Sequence, residues 1–150
     1  MENQVINDEN VTEVLPIVSV DSKKARFSNA PWFNAAQDSR AIVGGVGNIG
    51  SWVTLFLARQ GVTIYAYDKD TVGIENIASQ LYAITDIGNS KLNCIESTLT
   101  MFVNDNIAGE GKFIQLGELT SIQKMVDRYC FSCFDNMSAR KLLFESWVDI

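Results

Sequence analysis

The sequence contains no histidine, only two prolines and only three cysteines among its 150 residues. Without histidine, the chain cannot form a Ser-His-Asp triad, a Cys-His pair or a histidine-ligated metal site. Any catalysis therefore depends on carboxylates, lysine, arginine, asparagine, backbone amides or a borrowed metal ion.

Basic residues are also scarce, with 12 lysines and arginines against 18 acidic residues and a formal net charge of −6. A nucleic-acid-binding protein normally carries a basic stripe, so this balance argues against such a partner. No apolar run approaches the roughly 20 residues that span a bilayer, which argues against a membrane partner. The N-terminal sequence MENQVINDENVTEVL is acidic and rich in asparagine, unlike a targeting signal, so we expect a cytoplasmic protein.

The odd number of cysteines does not indicate a disulfide framework. Cys130 and Cys133 form a C-x-x-C pattern, but they lie within RYCFSCF, which is typical of a buried strand. A redox pair is expected near the start of a helix, and a zinc site would need two further ligands. We therefore predict a structural role for both residues.

Strand-like and helix-like segments alternate from residue 41 onward, in a chain with the 47% hydrophobic content of an ordinary globular domain. We predict strands at 41–43, 62–68, 112–116 and 128–134. We predict helices at 49–59, from 89 or 90 to about 105, at about 120–126 and at 136–148, with a short extended segment at 17–20. This order predicts an α/β fold, a Rossmann-like, doubly wound, mainly parallel sheet with helices on both faces.

The stretch AIVGGVGNIGS joins the first predicted strand to the first helix and contains G-x-G-x-x-G at Gly45, Gly47 and Gly50. The first glycine permits a tight turn, the second lets the backbone approach a phosphate, and the third lets helix and strand pack closely. The amides and partial positive charge of the helix N-terminus favour an anion. Asp68 follows Gly50 by 18 residues, at a strand end where a carboxylate can bind ribose hydroxyls. NAD, ATP and a purely structural turn all remain compatible with the loop itself.

The polar residues downstream favour ATP over NAD. Asp70, Asn76 and Gln80 follow the second strand, Lys91 lies in the first turn of the next helix, and Asp135 follows the fourth strand. A dehydrogenase has no obvious use for this set, whereas ATP with Mg²⁺ needs a carboxylate for the metal and a lysine for the phosphates. Structural alternatives are a turn cap for Asp70, a solvated helix face for Lys91, and an N-cap at residues 135–136.

The ordered motifs GVGNIGS, YDKDTVxxxN, Gln80, DIGxxK and DNxxxR resemble those of the ThiF/MoeB/E1 superfamily over about residues 40–145. The resemblance implies an ATP-dependent adenylyltransferase that activates the C-terminal carboxylate of a ubiquitin-like or sulfur-carrier protein through an acyl-adenylate, releasing pyrophosphate. It also implies ATP and Mg²⁺ as ligands, and a homodimer or a heterodimer with another family chain.

The resemblance also implies individual roles. Asp68 would hold the ribose, Asn76 and Lys91 would contact phosphates, and Asp135 would bind Mg²⁺. Arg140 matches a family arginine with either a supporting or a ligand-contacting role. The implied catalytic residues are Asp135, Lys91 and Arg26, the last in a segment similar to the family's N-terminal Arg-aromatic segment. The implied nucleotide-binding residues are Gly45, Gly47, Asn48, Gly50, Asp68, Asp70, Asn76, Gln80, Lys91 and Asn136.

Two departures from the family pattern limit these expectations. Ser79 stands where the family's Asn-Leu-x-Arg-Gln motif has a phosphate-binding arginine, and a hydroxyl lacks that charge and bidentate geometry. The chain is also short, so we expect an N-terminal extension at 1–35 and, at 36–150, a nucleotide-binding domain that is incomplete relative to the family. A non-catalytic, nucleotide-binding or structural partner of an active subunit is the alternative, and an NAD(P)-dependent oxidoreductase is a third.

Overall fold

A parallel sheet of four strands forms the centre of the molecule. The computed structural model describes residues 39–102, 112–121, 123–124 and 129–148. Within them, strands run over β1 Arg40–Gly44, β2 Thr63–Tyr67, β3 Phe113–Gly117 and β4 Tyr129–Ser132. Helices run over α1 Gly50–Arg59, α2 Lys91–Phe102 and α3 Met137–Trp147, with 3₁₀ turns at Ile74–Asn76 and Ile84–Asp86.

The strand order is β3-β2-β1-β4, and every pair of neighbouring strands is parallel. Strand β1 lies in the interior of the sheet, with Ile42 opposite Tyr65 and Val43 opposite Ala66 on β2. Residues 41–43 are fully buried, because β1 is covered on both faces. The continuous apolar run in the sequence is typical of such a strand.

Neighbouring residues of β1 belong to two separate cores, one on each face of the sheet. Val43 packs with Ile64 of β2, Leu55 of α1 and Ile95 of α2. Ile42 packs on the opposite face, in a smaller cluster that includes Leu143 of α3. Since side chains alternate along a strand, helices must cover both faces. The predicted doubly wound α/β architecture is therefore confirmed.

The helix predicted at about 120–126 is wrong for the part that the structure describes, because residues 120, 121, 123 and 124 lie outside any helix. Tertiary contacts hold this connection instead. The Tyr67 hydroxyl donates to Oε1 of Gln123 over 2.8 Å, and the Gln123 N–H donates to Oγ of Ser146 over 3.0 Å. Leu119 is buried just before them. These contacts outweigh a weak local helix propensity.

Some predictions fall outside the described residues, namely the extended segment at 17–20, the segment around Arg26 and the end of the second predicted helix beyond Phe102. Within the described residues, every helix is too short or too polar to serve as a transmembrane span.

Candidate functional site

A cavity of about 880 Å³ lies at the carboxyl ends of the strands. It is bordered by the segments that follow β1, β2, β3 and β4 and by the first residues of α2 and α3. The strand order reverses between β1 and β4, and open α/β sheets bind ligands at such a point.

The glycine-rich loop after β1 is fixed by close backbone contacts. Gly45 has a positive φ of 88°, and a Cβ atom there would lie 3.0 Å from the carbonyl oxygen of Cys133. A Cβ atom on Gly50 would overlap the carbonyl oxygen of Gly45. At Gly47 the nearest atom to such a Cβ is Oε1 of Gln80, 3.9 Å away. Gly45 and Gly50 are thus required by the chain itself, whereas Gly47 faces the open side.

The N-terminus of α1 has unused hydrogen-bond donors. Its N-cap residue is Ile49, which has no side-chain capping hydrogen bond. Within the described part of the chain, the N–H groups of residues 47–50 donate to no acceptor. Gly47, Asn48 and Ile49 line the cavity. Free amides at a helix N-terminus form a site that favours an anion.

Asp68, directly after β2, connects two loops of the site through hydrogen bonds. Its Oδ2 accepts the Val46 N–H at 2.8 Å, and its Oδ1 accepts the Asp70 N–H at 2.9 Å. Each carboxylate oxygen retains further acceptor capacity, so Asp68 can also accept a hydroxyl from a ligand.

Lys91 is buried at the first turn of α2, with a residue exposure of 8%. The side-chain Nζ of Lys91 lies 3.4 Å from Oδ2 of Asp70, and the main-chain N–H of Lys91 donates to the main-chain carbonyl of Asp70 at 3.0 Å. Asn76 is also buried and accepts the Gly73 N–H on Oδ1 at 2.8 Å. A solvated helix-face role for Lys91 is therefore wrong, because its ammonium lies inside the cavity lining.

A different arrangement faces these residues across the cavity. Asn136 caps α3, accepting the Ala139 N–H on Oδ1 at 2.8 Å, as the structural alternative predicts. Arg140 donates from Nε to the carbonyl oxygen of Phe134 at 2.5 Å. Asp135 is exposed. We call residues 45–50, 68–76 and 91 the inner wall, and residues 133–140 the outer wall.

Nearly all the residues that the sequence singled out meet at this cavity. Gly50 is an exception, since it packs behind the loop against Gly45 rather than lining the cavity. Arg26 lies outside the described residues. The residues brought together are Gly45, Gly47, Asn48, Asp68, Asp70, Asn76, Gln80, Lys91, Asp135, Asn136 and Arg140.

Two kinds of residue at the site are missed by the sequence motifs. Leu119, Phe134 and Leu142 supply apolar lining, and the positions of Leu119 and Phe134 just after strands are the signal that could have identified them. Tyr82 lies beneath the loop and donates its hydroxyl to the Val46 carbonyl at 2.6 Å. Burial raises the pKa of Tyr82, with a further contribution from Asp68.

Ser79 and Gln80 occupy different environments. The Ser79 hydroxyl donates to Oδ1 of Asn48, and its carbonyl accepts from Nε1 of Trp52 at 3.0 Å. Ser79 is exposed and is not part of the cavity lining. Oε1 of Gln80 is buried without a hydrogen-bond partner among the described residues, although Gln80 lines the cavity.

The two cysteines of the C-x-x-C pattern pack into different cores. Cys130 packs against the cluster that contains Ile42, whereas Cys133 packs against the cluster that contains Val43 and lines the cavity. Burial raises the pKa of both thiols, to about 11 for Cys130, and Arg140 partly opposes the rise at Cys133. Both are free cysteines.

The donor set for a metal ion is sparse. The residues that the structure describes contain no group of three or more His, Cys, Asp or Glu side chains that could hold a metal ion. Mg²⁺ is often held by only one or two carboxylates together with phosphate oxygens and water. An exposed carboxylate such as Asp135 fits that arrangement, but only with a phosphate ligand present.

A doubly wound sheet with a glycine-rich loop at its switch point defines an open α/β protein with a polar cavity at the carboxyl ends of its strands. Within that class the particular family is clear. The chain belongs to the ThiF family, whose sequence model matches residues 22–148. No curated protein sequence matches the chain.

Several solved structures share the fold. PaaA is 17% identical, with a TM-score of 0.67 over 95% of this chain and 48% of PaaA. TcdA (CsdL) is 19% identical, with a TM-score of 0.70 over 85% of this chain and 54% of TcdA. The E. coli tRNA N6-threonylcarbamoyladenosine dehydratase TcdA in complex with AMP is 24% identical, with a TM-score of 0.53 over 62% of this chain and 37% of that one. The chain thus spans about half, or less, of the length of these structures.

Proposed function

We propose that this chain is the nucleotide-binding part of an ATP-dependent adenylyltransferase. Its acceptor would be the C-terminal carboxylate of a ubiquitin-like or sulfur-carrier protein. Membership of the ThiF family supports an adenylating role. The observation that carries the proposal is the set of N–H groups at residues 47–49, which have no acceptor among the described residues and line the same cavity as the buried Lys91.

The inner wall would hold the sugar and phosphates of ATP. Amides at the N-terminus of α1 stabilise a phosphate through hydrogen bonds and the helix dipole. Lys91 adds a full positive charge, and Asn76 adds an amide group, since Oδ1 of Asn76 is already bonded to Gly73. Asp68 would accept ribose hydroxyls with the lone pairs that its two backbone donors leave free.

The outer wall would serve the metal. Asp135 would hold Mg²⁺ jointly with phosphate oxygens, and Asn136 would border the same pocket while capping α3. Bound Mg²⁺ would neutralise phosphate charge, which matters in a cavity lined by more carboxylates than cations.

The reaction suits a chain without histidine. A carboxylate oxygen of the acceptor attacks the α-phosphorus of ATP, and the bond from that phosphorus to the bridging oxygen breaks. Pyrophosphate leaves with the electron pair, and the product is an acyl-adenylate. Because the nucleophile is already an anion, no general base is required. Positioning and charge neutralisation, which amides and lysine supply, provide most of the catalysis.

A dimer with a second copy or with another family chain belongs to the same proposal, as does a role for Arg26 in reaching a nucleotide. The division into an extension at 1–35 and a nucleotide-binding domain at 36–150, incomplete relative to the family, likewise remains a proposal. The solved relatives are about twice as long, so further elements of the activity would come from outside these residues.

A specific observation favours a second candidate, a non-catalytic nucleotide-binding partner of an active subunit. Ser79 occupies the position of the expected arginine, and its hydroxyl is engaged by Asn48 at the glycine loop. The inner wall therefore holds two cations, Lys69 and Lys91, and both are already paired, Lys69 with Glu118 and Lys91 with Asp70. Such a chain would bind nucleotide yet accelerate adenylation poorly.

ATP–pyrophosphate exchange separates the two candidates. Wild-type chain with a candidate carrier protein should exchange labelled pyrophosphate into ATP, and a carrier lacking its terminal glycine is the matched control. The Lys91→Met variant should lower exchange by about 100-fold, on the scale of one lost charge-assisted contact. No exchange, with a partner chain also supplied, would leave the non-catalytic candidate. Thermal protection by NAD but not by Mg·ATP would instead favour an oxidoreductase.

A further inference from the structure

We infer that Tyr82 is a positioning residue that aims the Gly47 N–H into the cavity as the first anion-binding donor of the glycine loop. The inference rests on the proposed nucleotide site and adds a residue that no family motif in the sequence contains. Its basis is the hydrogen bonding of a single peptide unit.

The orientation of that peptide unit is fixed at its carbonyl. The Tyr82 hydroxyl donates to the carbonyl oxygen of Val46 over 2.6 Å, and both residues are buried. The Val46 carbonyl and the Gly47 N–H belong to one planar trans peptide, so they point in opposite directions. Holding the carbonyl toward the core therefore directs the Gly47 N–H away from the core, on the side where Gly47 lines the cavity.

The preceding peptide is fixed as well. The Val46 N–H donates to Oδ2 of Asp68 at 2.8 Å, so this amide is not available to a ligand. Both backbone groups of Val46 are thus bonded, its N–H to Asp68 and its carbonyl to Tyr82. Gly47 supplies the first loop amide that has no acceptor in the described part of the chain.

Residues 79–82 form two further hydrogen bonds to the first turn of α1. The Leu81 N–H donates to Oγ of Ser51 at 3.2 Å, and Nε1 of Trp52 donates to the Ser79 carbonyl at 3.0 Å. These bonds fix where the tyrosine ring lies relative to α1. Burial raises the pKa of Tyr82, so its hydroxyl keeps its proton and remains a donor throughout the physiological range.

Glycine at position 47 makes this control necessary. Glycine samples more backbone conformations than any other residue, so Gly47 itself adds little restraint to the Val46–Gly47 peptide. A preorganised amide binds an anion more tightly than one that must first rotate into place, because the ordering cost is already met on folding.

The test compares Tyr82→Phe with Tyr129→Phe, which removes the same hydroxyl from a residue that is 66% exposed on β4. Binding of adenosine, AMP and inorganic pyrophosphate is measured by calorimetry without Mg²⁺. In Tyr82→Phe we expect AMP and pyrophosphate to bind about tenfold more weakly, the scale of one hydrogen bond, with adenosine unchanged. Tyr129→Phe should match the wild type for all three ligands.

A general structural role would weaken all three ligands by the same factor, and that result would overturn the inference. Unchanged AMP and pyrophosphate affinity in Tyr82→Phe would also overturn it while leaving the nucleotide site intact. Failure of the wild type to bind AMP would instead contradict the proposed function.

Amide NMR of the free protein then tests the inference separately, because the nitrogen shift of a residue senses hydrogen bonding at the preceding carbonyl. We expect the Gly47 signal to move in Tyr82→Phe while that of Gly88 stays in place. A stationary Gly47 signal would contradict the inference. If Tyr82→Phe unfolds, the wild type is titrated with pyrophosphate and followed by amide NMR. The inference then predicts that the Gly47 amide signal shifts and that the signal of the Val46 amide, which is bonded to Asp68, does not.

Discussion

The two walls of the cavity carry similar kinds of polar side chain but use them differently. On the inner wall, Asp68, Asn76 and Lys91 are buried or half-buried and bonded to the chain itself. On the outer wall, Asp135, Asn136 and Arg140 are exposed, and Asp135 has no hydrogen-bond partner among the described residues. The polar groups of the inner wall thus maintain the fold as well as lining the cavity. On the outer wall Asn136 and Arg140 also bond to the chain, and Asp135 is the group that can change without loss of the fold.

The largest effect on stability should come from Gly50→Ala, because Gly50 packs directly against the backbone of Gly45 on the inner wall. The added Cβ would overlap the Gly45 carbonyl oxygen, which belongs to the backbone and cannot move aside. We expect a loss of about 3 kcal/mol or more of unfolding free energy, the upper range for overpacking. Gly47→Ala is the matched control, since its Cβ would meet only Oε1 of Gln80 at 3.9 Å. Urea unfolding measures both, and equal losses would contradict the different roles of the two glycines.

Asp135→Ala tests the outer wall. We expect it to abolish Mg²⁺-dependent ATP binding while changing the unfolding free energy by no more than about 0.5 kcal/mol, as is usual at exposed positions. Glu145→Ala removes the same charge from α3 outside the cavity, where the carboxylate pairs with Lys141 at 3.7 Å, and should bind Mg·ATP normally. Calorimetry with Mg·ATP and thermal denaturation provide the two measurements. Unchanged affinity in Asp135→Ala would show that this residue does not hold the metal.

Ser79→Arg asks whether the inner wall lacks a cation. The added guanidinium should raise ATP affinity by about tenfold or more, the scale of a charge-assisted contact with phosphate. Ser79→Ala breaks the same bond to Asn48 without adding charge and serves as the control. Adenosine affinity should be unchanged in both variants. An arginine variant that binds ATP no better than the alanine variant would mean that this position does not face the phosphates.

The smallest effect concerns Cys130, on the strand that leads into the outer wall. Burial raises its pKa from the ordinary 9.0 to about 11, so the folded chain favours the protonated thiol. That contribution to stability is full below pH 9 and is lost as the pH rises toward 11. Cys130→Ala should therefore lose less unfolding free energy than the wild type between pH 8 and pH 11. Urea titrations at the two pH values measure the unfolding free energy. Equal losses in Cys130→Ala and the wild type would contradict the raised pKa.

Much of the inner wall was accessible from the sequence because its features are local. The glycine spacing, the predicted strand ending at Asp68 and the predicted helix with Lys91 in its first turn follow from periodicity and turn chemistry over short stretches. The outer wall was accessible for a different reason, since Asp135 and Asn136 follow a strand and must lie at the same edge of a parallel sheet.

What the sequence missed depends on contacts between distant segments. The helix predicted at about 120–126 was wrong for the described residues 120, 121, 123 and 124, because Gln123 bonds to Tyr67 and Ser146, which are far away along the chain. For Gly50 the sequence did predict close packing, which the structure shows against Gly45, and only the nucleotide-binding role implied by the resemblance stays a prediction. The sequence predicted no role for Tyr82, because an aromatic residue two positions after Gln80 matches no known motif.

The order of strands and helices and the positions of the required glycines were determined by the sequence itself, because backbone conformation and side-chain periodicity are local properties. Only the tertiary structure decided that Asp68 and Tyr82 hold Val46 from both sides and that Lys91 is buried beside Asp70. Those pairs are separated by 22, 36 and 21 residues, so their meeting depends on how the sheet and helices pack.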